Sequence, residues 1–520
     1  MPRYGSTFKY GTAEKYGATT PASVAYGAVV DWNNDGDFID ADEDISPDVI
    51  SIDIHRSFTD PISRTATVGR CTLILKNADK AYSPELAPNK LPRREVRVFM
   101  NYNGLTVEKF RGFIDSLEPD AGTKGSRRVR LECMDAIALL QEAEILLALQ
   151  ENKRGDQLIS SITGNIYTPP GTAYDVDLDT FPFAADTWTD DIVYGAGKQA
   201  RALSAIRDVC TSDWGIFWIR ADGYPVFETR HHRLLDPTVK ATLSDTMSEL
   251  NYQKGTNLLY NEIKVTVYPR TVGTTNEVLW AQETGSIPSV NAGATSIFSA
   301  SFRDPNNLDI ELGGKNVVAP VITTDYMMNV AADGSGADLS ADFTVVATVY
   351  ANHAEIAVTN NGTTVGYVTK LQIRGLAIRM YAPPTLLASS GLSQTRYKSK
   401  RTLPIDSILQ SNVNVGQQLA NFLLGLYKVP PGEVGGVMFH ARRSATFLTY
   451  ARDLEISDRI TLAEAQTGVG ADYFINAIGH KISDGGKRHE VQLDVVNAVL
   501  GNFFMLDVSQ LDGTDTLAAF

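Results

Sequence analysis

The chain has 520 residues, 43% hydrophobic and 21% charged, with a net charge of −14. That composition is close to globular averages, so disorder is not expected over most of the chain, and the length predicts about three or four domains. The acidity argues against duplex binding through a basic footprint. The 20 Phe, 21 Tyr, 5 Trp and 41 Gly favour β-structure with many turns.

The first residues repeat a Tyr-Gly unit at Tyr4, Tyr10, Tyr16 and Tyr26, which reads as an extended arm too polar to bury a core. There is no apolar signal-peptide core behind the N-terminus. Nor does any run of about 18 apolar residues predict a membrane helix.

A short strand at 28–30 leads into an acidic loop. Strands with alternating patterning follow at 50–55, 71–76, 95–102, 110–117 and 127–133, and a helix is predicted over 134–149. This is a small barrel or sandwich closed by one helix. Residues 152–193 are polar and rich in Pro and Gly, and read as a connection with little regular structure. A helix over 198–211, a strand over 214–219, a turn at 221–223 and a return strand over 225–229 form an α+β unit. From 271 to 392 Thr, Ser, Asn, Val and Gly dominate, and strands at 343–349, 355–359 and 372–381 read as an inserted β-sandwich. A helix over 415–427 ends at Val429-Pro430-Pro431-Gly432, and strands at 454–462, 472–481 and 487–495 complete the series. The last two make a hairpin around Asp484-Gly485-Gly486.

The best local motif is Asp31-Trp32-Asn33-Asn34-Asp35-Gly36-Asp37, with Asp40, Asp42 and Glu43 behind it. Asp31, Asn33 and Asp35 occupy positions 1, 3 and 5 of an oxygen-rich calcium loop, and Gly36 stands where the sharp turn needs it. Asp37 offers a backbone carbonyl, and Asp42 falls at the closing position, with Glu43 one step late. The metal candidates are therefore Asp31, Asn33, Asp35, Asp37 and Asp42, with calcium as the ion. An Asx-rich turn without an ion is the competing reading.

Cys71, Cys133 and Cys210 are far apart and form no metal or disulfide pattern, so they read as buried small hydrophobes. His231 and His232, adjacent on a strand, would point to opposite faces and share no metal. Trp214 and Trp218 would lie on one strand face and serve the core. Hydrolase and nucleotide-binding signatures are missing, so no enzyme is expected: no catalytic residue and no organic cofactor site is assigned.

Several segments, in order, resemble minor tail proteins of long-tailed bacteriophages, of the baseplate-hub kind. These are VDWNNDGDFIDADEDISPDVISIDIHRS, GRCTLILKNADKAYSP, FRGFIDSLEP with RRVRLECMDAIALL, ALSAIRDVCTSDWGIFWIRADGYPVF, and LEISDRITL with DYFINAIGHKISDGGKRHEVQLDV. The resemblance covers most of 25–270 and 400–510. It implies a mainly β chain with α+β elements and two tail-tube-like β-barrel domains. The chain then divides into an arm (1–25), a first hub barrel with acidic loop and closing helix (26–150), an α+β hub domain (151–270), the inserted β-sandwich (271–400), a second hub barrel (401–500) and a C-terminal tail (501–520).

The resemblance further implies a virion tail-tip protein, three copies of which form a ring with six barrel units. That homotrimer would adapt the sixfold tail tube to threefold symmetry and gate the channel during DNA ejection. Partners would be the distal tail ring or tail tube protein, the tape measure protein, tail fibres or receptor-binding proteins, and viral DNA passing without specific binding. Three alternatives stand beside it: a tail-tip protein that binds a receptor or host cell-surface glycan through the insert, a tail-associated hydrolase, which no motif supports, and a sixfold distal-tail ring protein.

Overall fold

The computed structural model describes residues 24–498 except for 122–124, 189–199, 245–246 and the single positions 178, 284, 286 and 431. The expected arm, up to residue 23, and the tail at 501–520 lie outside the described residues.

Strict alternation of apolar and polar residues forms the first sheet region. Strands β1 (Val24–Val30), β2 (Val49–Ser57), β3 (Arg70–Lys76), β4 (Glu95–Tyr102), β5 (Leu105–Pro119) and β6 (Arg128–Met134) pair in the order β1-β4-β5-β6-β3-β2. Their inward residues, among them Ile52, Ile54, Cys71, Leu73, Val96, Phe110 and Leu131, are fully buried in one core. At about 25 cal/mol per Å² of apolar surface, such faces are the main force holding the strands.

A second sheet region assembles from distant segments. Val469–Ser483 forms a hairpin with Arg488–Asn497, which pairs with Glu433–His440, which in turn pairs with Glu249–Gln253. Arg459–Glu464 lines the first part of Val469–Ser483 and takes Val239–Leu243 in parallel on its other side.

The two regions are not separate barrels. Among the described residues no sheet closes; both belong to one 12-stranded sheet, joined where Ile52–Ser57 of β2 pairs antiparallel with Ala477–Ile482. The reason is edge use. A closed barrel would need β1 to meet β2. Instead β2 bonds to the second region, and the outer side of β1 bonds to the acidic loop, where Val30 N–H donates to Glu43 O and Ile45 N–H to Ala28 O.

Helices Gly155–Ile166 and Ala202–Asp213 pack with the small sheet Ile216–Ile219, Pro225–Glu228 and Ala173–Tyr174 in a core continuous with that of the second sheet region. The helix expected over 134–149 is confined to Ile137–Glu142, while Gly155–Ile166 is a helix where an irregular connection was expected. Trp214 does not share a strand face with Trp218. It ends the preceding helix with a left-handed φ of 64°, and both indoles are buried in different cores.

Residues 270–380 build two antiparallel sheets around their own core. The long strand Gly366–Met380 takes five partner strands, and Thr295–Ser301, His353–Asn360 and Phe343–Val349 form the opposing sheet. Glu262–Val267 pairs with Thr385–Ser389 and, in parallel, with Thr402–Ser407, and packs against the helix Val413–Tyr427.

Candidate functional site

The acidic loop leaves β1 at the sheet edge. Asp31 continues the strand, its N–H bonded to Glu95 O at 3.0 Å, so its side chain is held at a fixed point and is only 3% exposed. The chain then turns sharply through Asn34 and Gly36, with φ of 63° and 92°; glycine adopts the second at no steric cost. The N–H groups of Asn34 and Asp35 point at one Asp31 carboxylate oxygen and that of Gly36 at the other. Asn33 Oδ1 accepts the Asp35 N–H at 3.0 Å, and its amide donates to Asp35 and Asp40.

One carboxylate oxygen from each of Asp31, Asp35 and Glu43 lies within 4.8 Å of the other two. Opposed ligands of a calcium ion, each at about 2.3–2.6 Å, span a similar distance. Glu43 is 1% exposed; one oxygen accepts the Asp40 N–H at 3.1 Å, while Oε1 is buried without a hydrogen-bond partner. Burial raises the Glu43 pKa above the ordinary carboxylate range, and Asp40, Asp31 and Asp35 add to this by repulsion. Among the described residues no Lys, Arg or His forms an ion pair with any of the three. A buried oxygen cluster of this kind can coordinate a divalent metal ion, whose charge would offset that repulsion.

Of the residues singled out in the sequence, Asp31 and Asp35 meet in the cluster. Asn33 borders it through Asp35. Asp37 is exposed and accepts the Ile39 N–H. Asp42 stands apart in an ion pair with Lys90 at 2.6 Å, which lowers its pKa. Glu43 takes the inner position instead, because the limb turns at 41–43 and then bridges Val29 through Asp44: Glu43 and Ile45 are buried while Asp42 and Asp44 are exposed. The signal was in the sequence, since Ile45 marks which face of that limb points inward.

Two polar clusters escaped the sequence reading. His480 Nδ1 and His489 Nε2 lie 3.0 Å apart inside the sheet, and the Tyr26 hydroxyl bonds His489 Nδ1 at 3.0 Å. Burial, then neighbouring Lys109, hold both imidazoles far below their usual range, His489 at about 3. Elsewhere His232 lies between Asp175 at 2.8 Å and Glu228 at 3.3 Å. Burial opposes its protonation, but the two carboxylates win and raise its pKa. His231 and His232 sit on a short helix rather than on a strand. The three cysteines are buried free thiols, as expected.

No protein-family model matches the chain, and no curated protein matches it. Among solved structures it is similar to a tail protein from Neisseria meningitidis MC58, with 10% identity, 91% of this chain and 96% of that chain covered, and a TM-score of 0.48. It is also similar to the 43 kDa tail protein of prophage MuSo2 from Shewanella oneidensis, with 10% identity, coverage of 92% and 99%, and a TM-score of 0.48. A third similar structure is prophage tail protein gp18 from Listeria monocytogenes EGD-e, with 11% identity, coverage of 91% and 95%, and a TM-score of 0.42.

Proposed function

We propose that this chain is a structural protein of the virion, at the distal tip of a long-tailed bacteriophage tail, where it continues the tail tube and carries out no catalysis. The observation that carries the reading is the single sheet made of two strand-paired regions, ending in Val24–Val30 at one side and Glu249–Gln253 at the other. Two wall units per chain are what a hub requires, because three chains then offer six units to a sixfold tube. In this reading the protein is a homotrimeric ring that adapts sixfold to threefold symmetry and gates the channel during DNA ejection. The net charge of −14 suits a surface along which phosphates pass without binding. The neighbours are the distal ring or tube protein, the tape measure protein and the tail fibres. The ion of the acidic loop is calcium, given three carboxylates of which the Asp35 one is exposed.

The test is the mass and projected symmetry of the purified protein by light scattering and negative-stain microscopy. A threefold ring with a channel supports the hub; a sixfold ring moves the chain to a distal-tail adaptor.

A second reading, contact with host cell-surface glycan, rests on the insert. On the outer face of its three-stranded sheet Ile297 and Val346, 72% and 56% exposed, flank Ala357 in one cross-strand row. Thr295, Thr359 and Thr344 form the next row, in which the Thr295 and Thr359 hydroxyls bond each other at 2.9 Å and the Thr344 hydroxyl accepts from the Asn361 amide at 3.0 Å. Binding of cell-wall polysaccharide that is lost in Ile297→Asp would favour this reading.

A further inference from the structure

We propose that a divalent cation held by Asp31, Asp35 and Glu43 fastens the returning limb of the acidic loop onto β1, so that the outer side of Ala28 and Val30 is covered when the ion is bound and open when it is absent. The inference rests on the reading that this loop holds a cation such as calcium.

The geometry supports each link. β1 is an end strand whose inner side is fully used by β4. Its outer side would present unpaired N–H and C=O groups, which invite strand pairing with another molecule. The returning limb covers those at the end of the strand: Val30 N–H donates to Glu43 O at 2.9 Å, Ile45 N–H to Ala28 O at 3.1 Å, and Ala28 N–H to Ser46 Oγ at 3.0 Å. Ile45 is fully buried in the core of the first sheet region and anchors the far end of the limb.

Glu43 joins edge and ion. Its backbone carbonyl holds Val30, while its side chain enters the carboxylate cluster with Oε1 buried and unpartnered. An unpaired carboxylate oxygen beside two like charges is costly to bury. A cation removes that cost; without one the side chain gains by turning to water, and the carbonyl that covers Val30 leaves with it. Asp42, one residue earlier, is bound to Lys90 and takes no part.

The experiment uses the full chain with calcium at about 1 mM or with a chelator. Two quantities are read: bound metal by mass spectrometry, and hydrogen exchange of peptides covering 24–30 and 43–46. Chelation should speed exchange in both peptides by about tenfold or more, and added calcium should reverse the change. Glu43→Gln should behave in calcium as the wild type does in chelator, whereas Asp42→Asn should keep its ion and its protection. Asp35→Asn, at an exposed position, should weaken ion binding without unfolding the core. One ion per chain with unchanged exchange on chelation would overturn the edge coupling and leave the site standing. No bound metal in the wild type at this calcium concentration would overturn both.

Discussion

The two regions of the large sheet reach similar strand patterns by different routes. The first is contiguous, residues 24–134, and its buried faces make a core to which, among the described residues, only Ile482 comes from elsewhere. The second gathers strands at 239–253 and 433–497, and its core merges with helices from the intervening chain. Contiguous chain lets local alternation specify a core. A scattered region depends on pairings whose partners lie some two hundred residues apart in sequence, and these must close large loops before they reward the chain.

The sharpest break in that comparison lies at the seam. Arg56, 3% exposed, makes a two-point ion pair with Glu455 at 2.6 and 3.0 Å and also donates to Ile219 O. One side chain thus ties the first region to the second and to the α+β unit. Arg56→Ala leaves Glu455 without its partner and should cost about 3–5 kcal/mol, read by urea unfolding. A loss under about 1 kcal/mol would mean the seam rests on strand pairing alone.

Next come the two cores. Leu73→Ala in the first region should cost about 2–5 kcal/mol and Phe439→Ala in the merged core about 3–5 kcal/mol; both side chains are fully buried. Hydrogen exchange separates them. Leu73→Ala should speed opening mainly within 24–134, whereas Phe439→Ala should also loosen the helix Ala202–Asp213, because that helix shares its core. Equal effects everywhere would make the chain one cooperative unit.

Acid should act at the same seam. His480 pairs with Ile54 of β2 and with Val491, and His489 lies beside it with Lys109, Arg56 and Arg442 as the surrounding cations. Both imidazoles bind a proton far less readily folded than unfolded, where the value is 6.5. Their stabilising contribution is therefore complete above pH 6.5 and is lost as pH falls toward the folded values. Each histidine should add a slope of up to about 1.4 kcal/mol per pH unit. His489→Gln should flatten the profile between pH 6.5 and 4.5, measured by urea unfolding at each pH; an unchanged slope would assign the acid sensitivity to other groups.

The smallest expected effect concerns the thiols. Cys71 and Cys133 are cross-strand neighbours in the first core, and Cys210 lies in the merged core, all with pKa values raised by burial. None should react with a thiol reagent in the native protein at pH 8. In rising urea, pulsed labelling should show which core opens first, with Cys71 and Cys133 reacting together and Cys210 separately. Simultaneous labelling of all three would argue against independent opening.

The sequence by itself determined the strands of β1–β6, the final hairpin around Asp484-Gly485-Gly486, the buried thiols and the position of the acidic loop. These follow from alternation and turn chemistry within a few residues. Its reading failed where neighbours in space decide. The helix Gly155–Ile166 was obscured by polar and glycine residues around Leu158, Ile159 and Ile162, which become apolar contacts only against the helix Ala202–Asp213. Trp214 left its expected strand because the helix before it needed a terminating residue. Closure of the sheet, the exchange of Asp42 for Glu43 at the acidic cluster and the histidine pair were settled by tertiary structure alone. Alternation says which face of a strand is buried, but not which strand will use its free edge, and edge pairing is the choice that turned two expected barrels into one open sheet.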